Sequence, residues 1–196
     1  MAVSRSLTIV AAAALLLWSP SAVAGWKLMG GKQAVKVDSL TVVPESDWNQ
    51  GGRPGKQGRV WTQDGVGLNA IEFFSAVPHG APLYQERNNK NNPMPKFDNT
   101  LLLPELADFF ERSFRAANQL SDFIILESAP ADIGGKKGLL VRYRYTLPNE
   151  ELTRLGEARM AVVDGKLYVA NYFAPQLHYF NAGLPEAQAI MQRVRF

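Results

Sequence analysis

The sequence of 196 residues contains no cysteine. Without a thiol the chain forms no disulfide, receives no lipid on an N-terminal cysteine and has no thiolate nucleophile. A small exported domain that lacks disulfides depends on its hydrophobic core for stability. A chain of about 170 residues, the length outside the N-terminal segment, buries roughly two thirds of its unfolded surface on folding. We therefore expect one domain that is stable without cross-links.

Histidine is also scarce, since only His79 and His178 are present. Nucleophilic hydrolysis needs a positioned base and often a Gly-x-Ser-x-Gly turn, and the sequence contains no such turn. Zinc sites need three or four ligands at characteristic spacing, and neither histidine lies in such a pattern. Both histidines fall in predicted loops, which favours exposed or capping roles. The sequence therefore predicts no catalytic residue, no metal, no cofactor and a protein that is not an enzyme.

The excess of positive charge is small, with 21 basic and 18 acidic residues and a formal net charge of +3. Domains that bind nucleic acid gather Lys and Arg on one face, and the sequence has no such cluster. The charge balance still permits contact with an anionic surface of the cell envelope. We therefore do not expect a nucleic acid among the partners.

The N-terminal segment, residues 1–24, has the composition of a secretory signal peptide. Arg5 precedes an apolar run at residues 7–18, and small residues follow up to Ala24. The run is about a dozen residues long, whereas a helix that spans a bilayer needs about 20, so a retained membrane anchor is the weaker alternative. We expect cleavage after Ala24, a flexible mature N-terminus at residues 25–32, and a soluble periplasmic or secreted protein without membrane insertion.

Strands are predicted where aromatic and β-branched residues alternate with polar ones. Two Asp-Gly pairs are suited to hairpin turns between such strands: residues 64–65 to a tight turn, and residues 164–165 to a two-residue turn. The predicted strands lie at residues 35–43, 59–62, 68–77, 123–129, 138–146, 153–163 and 166–174.

Two amphipathic helices are predicted, one beginning near Pro104 and one at residues 184–193. The first carries Phe109, Phe110 and Phe114 at helical spacing, which indicates a stripe that packs on the sheet. The order of strands, helix, strands and helix is typical of an α+β domain in which helices lie on the faces of an antiparallel sheet. We expect this single domain to span residues 33–196.

Five features in a fixed order resemble a known family of folds. They are Trp48, the WTQDG hairpin, the Phe-rich helix, the VVDGKLYVANYFA hairpin and the closing helix. In this order the chain resembles the PsbP-like α/β/α sandwiches and a family of uncharacterised secreted proteins and lipoproteins of Gram-negative bacteria. The resemblance implies the fold over most of residues 33–196 and nothing about chemistry. Its lipoprotein members would carry a cysteine at the mature N-terminus, where this chain has Gly25.

The turn at residues 164–165 predicts a register in which Val163 faces Lys166. One face of this hairpin is then nearly all apolar, while the other mixes charged residues with tyrosines and is expected to be at least partly wet. Arg142 and Arg144 share one side of the preceding strand. The candidate binding residues are Arg142, Arg144, Glu157, Arg159, Tyr168 and Tyr172.

Two interpretations of this group remain open. Arg and Tyr are enriched where proteins bind partners, so the group could bind an envelope protein or an anionic ligand. Alternatively, Arg142 and Arg159 form ordinary ion pairs with Glu157 that stabilise the sheet. We expect a non-enzymatic binding or scaffolding protein of the envelope. The alternative function is an envelope hydrolase that uses Glu72 and Glu157 as a carboxylate pair.

Overall fold

The computed structural model describes residues 26–86 and 93–196, so the predicted signal peptide lies outside the described residues. The elements follow one another along the chain as β1 Lys27–Met29, β2 Val35–Val37, β3 Leu40–Val42, β4 Trp48–Gln50, β5 Gly58–Thr62, β6 Ala70–Val77, α1 Leu103–Asn118, β7 Phe123–Ile133, β8 Lys136–Thr146, β9 Thr153–Val163, β10 Lys166–Pro175 and α2 Tyr179–Arg193.

Eight strands form one antiparallel sheet in the order β1-β4-β5-β6-β10-β9-β8-β7. The short β2 and β3 pair with each other as a separate hairpin. Because β1 pairs with β4, strand structure begins at Lys27, within the stretch that the sequence predicts to be a flexible N-terminus. The sheet therefore extends closer to the N-terminus than the predicted boundary at residue 33.

Each face of the sheet carries one helix. Helix α1 packs with residues of β6, β8, β9 and β10 in one core, and α2 packs with the β2–β3 hairpin and the opposite face of the sheet in the other. The prediction of an antiparallel sheet flanked by helices is confirmed in part, since most of the ordered structure is sheet and each face has a single helix. Within the described residues, no helix is long and apolar enough to cross a membrane.

Helix α1 follows the predicted pattern. Pro104 lies in its first turn, and the Glu105 carboxylate accepts a hydrogen bond from the backbone N–H of Leu102, which satisfies one of the free donors of the helix start. The phenylalanine stripe faces the sheet, and its three members, Phe109, Phe110 and Phe114, are all buried. The core assignment of this helix is therefore confirmed.

Helix α2 begins earlier than predicted, at Tyr179 instead of residue 184. The prediction placed Pro185 in the first turn, where a missing N–H does no harm. In the structure Pro185 lies inside the helix, where it leaves the carbonyl of Asn181 without a helical partner. Asn181 is exposed, so water can satisfy that carbonyl.

The two Asp-Gly turns differ. Asp164 and Gly165 have φ angles of 50° and 72°, and the pairing of Val163 with Lys166 confirms the two-residue turn and its register. Strands β5 and β6 also pair as an antiparallel hairpin around Asp64-Gly65, but the link between them is a seven-residue loop, residues 63–69, which is longer than predicted. The buried Asn69 organises this loop, because its side chain accepts hydrogen bonds from the N–H groups of residues 63 and 64 and donates one to Asp64.

Candidate functional site

The predicted register brings the candidate residues of β9 and β10 together on one face, as Glu157 pairs with Tyr172 and Ala161 with Tyr168. This face is covered by α2, so Glu157 and Tyr172 are both 0% exposed. The Tyr172 hydroxyl donates to the backbone oxygen of Tyr179 at the start of α2, at 3.0 Å. The expectation of a partly wet face is therefore wrong for these residues, because the local pattern did not reveal which face α2 would cover.

Glu157 is the centre of a buried ionic cluster. Its Oε2 accepts hydrogen bonds from Arg142 Nε at 3.0 Å and from Gln188 Nε2 of α2 at 2.9 Å. Its Oε1 accepts two from Arg159, at 3.1 and 3.2 Å. A carboxylate can be buried in its charged form when cations and further donors surround it in this way. The ion-pair interpretation of Arg142 and Arg159 is therefore confirmed.

Arg142 lies at the boundary between this cluster and solvent. Besides Glu157 it contacts Glu127 of β7, with Nη1 at 2.9 Å from Oε2. The hydrogen bond to Glu157 raises the pKa of the Arg142 guanidinium above its already high usual value. Two carboxylates therefore hold the Arg142 side chain on β8, next to the edge strand β7.

Arg144 differs from the other two arginines because its side chain is exposed. In the described part of the chain no side-chain hydrogen bond or ion pair to Arg144 is found. The register places Arg144 between Ile124 of β7 and Leu155 of β9. Ile124 is 40% exposed, and Leu155 is half-buried.

We call the surface formed by Ile124, Glu127, Arg142, Arg144 and Leu155 the open face. These residues lie on the side of the sheet that carries α2, and all of them are at least partly exposed. The candidate residues thus divide into two groups. Arg142 and Arg144 belong to the open face, whereas Glu157, Arg159, Tyr168 and Tyr172 lie in or beside the buried core under α2.

The carboxylate pair of the alternative hydrolase is not formed. Glu72 pairs with Asn171 of β10, whereas Glu157 pairs with the next residue, Tyr172. Successive residues of a strand point to opposite faces of a sheet. Glu72 and Glu157 therefore lie on opposite faces, and the proposal that they act together across a cleft is wrong.

Glu72 belongs instead to a buried polar network under α1. Its Oε2 accepts hydrogen bonds from the Tyr84 hydroxyl at 2.8 Å and from Asn171 Nδ2 at 3.0 Å. Asn171 Oδ1 in turn accepts a hydrogen bond from the Tyr143 hydroxyl at 2.7 Å. Burial raises the pKa of Glu72 to about 7, although the two hydrogen bonds lower it.

The sequence gives little sign of this network. Tyr84 follows β6 in a loop, Tyr143 lies on β8 and Asn171 on β10, so only the strand order β6-β10-β9-β8 brings them near Glu72. The one local signal is an acidic residue inside the mostly apolar strand β6.

The sequence-based prediction missed another carboxylate, Glu186 of α2. It accepts hydrogen bonds from the backbone and hydroxyl of Ser46, from Trp48 Nε1 at 3.0 Å and from Gln63 Nε2 at 3.5 Å. Partial burial raises the pKa of Glu186, but these hydrogen bonds outweigh it and the net pKa is lowered. The cluster joins α2 to β4 and to the loop after β5.

Both histidines lie in exposed loops, as predicted. His79 is near Asp98, with Nδ1 at 3.5 Å from Oδ1. His178 precedes α2 with φ of 67° and ψ of −64°, and the N–H of Tyr179 bonds to the oxygen of Leu177 across it. Within residues 26–86 and 93–196, no group of three or more His, Asp or Glu side chains could hold a metal ion.

Comparison with known proteins gives a likeness of fold. No protein-family model matches the chain. No curated protein matches it either. A solved structure from Bacteroides thetaiotaomicron VPI-5482 is similar with a TM-score of 0.50 and 11% identity, over 85% of this chain and 48% of that one. This chain therefore spans about half the length of the Bacteroides protein.

Two further solved structures are matched at lower scores. One is the cyanobacterial PsbP protein CyanoP from Synechocystis sp. PCC 6803, with a TM-score of 0.45 and 9% identity over 90% of this chain and 95% of that one. The other is LpqN of Mycobacterium tuberculosis, described as involved in cell envelope biogenesis. Its TM-score is 0.32 and its identity 9%, over 89% of this chain and 86% of that one. A PsbP protein is thus among the structures that the fold matches.

Proposed function

We propose that this chain is an exported, periplasmic protein without enzymatic activity that binds or scaffolds another envelope protein through the open face. The observation that carries the proposal is Arg144. Its guanidinium is exposed on a sheet, beside the apolar side chains of Ile124 and Leu155. An accessible Arg next to apolar surface is the composition that protein interfaces favour at their energetic centre.

The charges around the open face define what it would bind. Arg142, Arg144 and Arg159 contribute three positive charges, and Glu127 and Glu157 contribute two negative ones. Subtracting two from three leaves one positive charge, which is located on Arg144. A guanidinium matches a carboxylate with two parallel hydrogen bonds. The partner therefore presents one acidic side chain with an apolar residue beside it.

The buried cluster under α2 supports this role indirectly. Glu157, which Arg159 and Gln188 hold in place, in turn binds the Arg142 side chain. Strands β7 and β9 pair with the backbone of Arg144 on both sides. A surface on paired strands loses little conformational entropy when a partner binds. The open face is therefore prepared for binding by the same contacts that stabilise the sheet.

Export is tested by the N-terminus of the mature protein. The order of Arg5, the apolar run at residues 7–18 and the small residues up to Ala24 supports cleavage after Ala24. N-terminal sequencing of the protein recovered from the periplasmic fraction should begin at Gly25. A chain that begins at Met1, or that stays in the membrane pellet, contradicts export in soluble form.

Binding is tested by capture from an envelope extract, followed by affinity measurements with the purified partner. Arg144→Ala should weaken binding by roughly 1 to 3 kcal/mol, about 5- to 150-fold in Kd, and more at low salt than at high salt. The matched control is Arg112→Ala, because Arg112 is an exposed arginine on α1 at the other face of the sheet. Equal Kd values for the parent and Arg144→Ala would refute the proposal. A small carboxylate that competes fully for the site would instead identify an anionic ligand.

A further inference from the structure

Part of the open face lies at a corner of the sheet that α2 leaves uncovered. Helix α2 crosses the sheet diagonally, because its start contacts β10 and its end contacts the turn between β7 and β8. The Tyr172 hydroxyl donates to the oxygen of Tyr179 at 3.0 Å, and the N–H of Gly134 donates to the oxygen of Met191 at 3.1 Å. The start of β7 and the end of β8 lie at the other end of these strands from that turn. Side chains at these two strand ends therefore remain accessible on the α2 side of the sheet.

Asp122 adds a carboxylate to this corner. Its Oδ2 accepts a hydrogen bond from Thr146 Oγ1 at 3.2 Å. Thr146 lies two residues after Arg144 on β8, so both side chains point to the same side of the sheet. Asp122 is exposed and lies two residues before Ile124. We call the surface formed by Asp122, Ile124, Arg144 and Thr146 the corner patch.

The corner patch carries one charge of each sign. Arg144 pairs with Ile124 across β7 and β8, and Asp122 bonds to Thr146 one step further along, so the two charged residues lie diagonally to each other. Within residues 26–86 and 93–196, neither Asp122 nor Arg144 forms an ion pair. The apolar Ile124, which is 40% exposed, is next to both. The patch is therefore neutral as a whole and has an apolar residue between two available charges.

A surface of this kind is complementary to itself. A two-fold axis brings the same patch of two copies together, so each contact between unlike residues occurs twice. An axis that passes near Ile124 would bring Arg144 of each copy to Asp122 of the other. The partner required by the proposed function presents one acidic side chain with an apolar residue beside it. A second copy presents this combination as Asp122 and Ile124.

We propose that the open face binds a second copy of this chain, in a two-fold symmetric dimer with two reciprocal ion pairs between Arg144 and Asp122. This inference rests on the proposed function, because the second copy is then the envelope protein that the open face binds. Each guanidinium gains a carboxylate that matches it with paired hydrogen bonds. The Ile124 side chains of the two copies meet near the axis and exclude water from the ion pairs, which reduces their screening.

The free edge of β7 does not favour a dimer formed by strand pairing. Strand β7 is the last strand of the sheet, but it contains Pro130, which has no backbone N–H. Its pairing with β8 also shifts register between Ile125 and Glu127, where the strand has a bulge. Both features disfavour the addition of a further strand to an edge. The two copies are therefore expected to contact each other through the side chains of the corner patch.

Sedimentation velocity of the mature protein, residues 25–196, measures self-association directly. Interfaces that bury little surface are weak, so we expect a dimer with a Kd of roughly 1 to 100 µM. Added salt should weaken the dimer, because ion pairs at a partly exposed surface are screened. A parent protein that stays monomeric at roughly 1 mM, ten times the weakest expected Kd, would overturn the proposal.

Two charge reversals identify the contact. Arg144→Asp places carboxylates opposite each other in the dimer, and Asp122→Arg places guanidinium groups opposite each other. Each variant alone should therefore associate about tenfold or more weakly than the parent. An equimolar mixture of the two variants restores opposite charges at both contacts and should associate within about threefold of the parent. Reversals without effect, or a mixture as weak as the single variants, would overturn the proposal.

The matched control is Arg112→Asp, which makes the same change of charge on α1 at the other face of the sheet. Its Kd should equal that of the parent, and a loss as large as that of Arg144→Asp would assign the effect to net charge and overturn the contact. Circular dichroism checks that each variant is folded. If Asp122→Arg does not fold, Asp122→Asn keeps an oxygen for the hydrogen bond from Thr146 and removes only the charge. This variant should also weaken the dimer.

The capture assay separates this inference from the proposed function. A monomeric parent whose binding to a captured envelope protein is weakened by Arg144→Ala would refute the dimer and leave the binding role of the open face intact. A monomeric parent whose capture does not change in Arg144→Ala would refute both. A dimer that Arg144→Ala dissociates would support both.

Discussion

The two faces of one sheet bury two carboxyl groups in opposite ways. Glu72, under α1, has a tyrosine and an asparagine as its donors and aromatic rings around it. Glu157, under α2, has two arginines and a glutamine. Burial raises the pKa of Glu72 to about 7, so this carboxyl group titrates near neutral pH. Glu157 instead forms ion pairs with both arginines.

The comparison shows that burial alone does not decide what an acidic side chain does. The partners that the fold brings to it decide whether it is a fixed ion or a group that titrates. The same sheet therefore combines a permanent ionic cluster, which holds the open face in place, with a neutral network that can respond to pH. Mutations on the two faces should separate these roles.

The largest expected effect comes from the aromatic core of the α1 face. Phe114 contacts six aromatic rings at centroid distances of 5.1 to 6.1 Å. Phe114→Ala should therefore lower the free energy of unfolding by about 5 kcal/mol. Phe180→Ala on the α2 face should cost about 3 kcal/mol, because Phe180 is at the helix start and stacks on Tyr172 alone among the described rings. Chemical denaturation measures the free energy of unfolding of both variants. Equal losses would mean that Phe114 and Phe180 contribute equally to the two cores, which would contradict the comparison.

Removal of the charge at Glu157 should have the next largest effect. Glu157→Gln leaves Arg142 and Arg159 without their shared carboxylate, so the free energy of unfolding should fall by about 3 to 4 kcal/mol. Glu72→Gln should change it by less than about 1 kcal/mol at pH 5, where the parent acid is still neutral in the folded protein. Urea unfolding at pH 5 compares the two variants. A similar loss in both would show that Glu72 is ionised at that pH.

The pH dependence of stability should report on Glu72. The folded protein holds the Glu72 proton to about pH 7 and the unfolded chain only to about 4.5, so this group stabilises the fold at low pH and loses that contribution as pH rises between these values. From pH 5 to pH 8 the loss should be about 2 to 3 kcal/mol. The difference between the parent and Glu72→Gln isolates it. A difference that does not change with pH would contradict the raised pKa.

The smallest effects concern the arginines at the boundary of the α2 face. Arg159→Ala removes two hydrogen bonds to Glu157 and should cost about 1 to 2 kcal/mol in the free energy of unfolding. Arg144→Ala removes an exposed side chain and should cost less than about 0.5 kcal/mol. Thermal melts of both variants provide the measurement. If Arg144→Ala is as destabilising as Arg159→Ala, Arg144 has a structural role and the open face loses its free cation.

Features that depend on neighbours in the chain could be predicted. Asp164 and Gly165 accept positive φ angles, so the turn and the register of β9 with β10 followed from two residues. The stripe of Phe109, Phe110 and Phe114 identified the buried side of α1 because its spacing matches the helical repeat. The loop at residues 63–69 escaped prediction, since Asn69 replaces the backbone pairing of a tight turn with side-chain hydrogen bonds.

Which residues remain accessible was decided only by the tertiary structure. Alternation along a strand is local, so the residue pattern was enough to place Glu157, Arg159, Tyr168 and Tyr172 on one face. The pattern could not show that α2 covers most of this face and leaves Arg144 exposed. That depends on where α2 packs on the finished sheet. Glu72 meets Asn171, 99 residues further along, only because β6 and β10 are neighbours in the sheet. The charge state of each carboxyl group follows from such distant contacts.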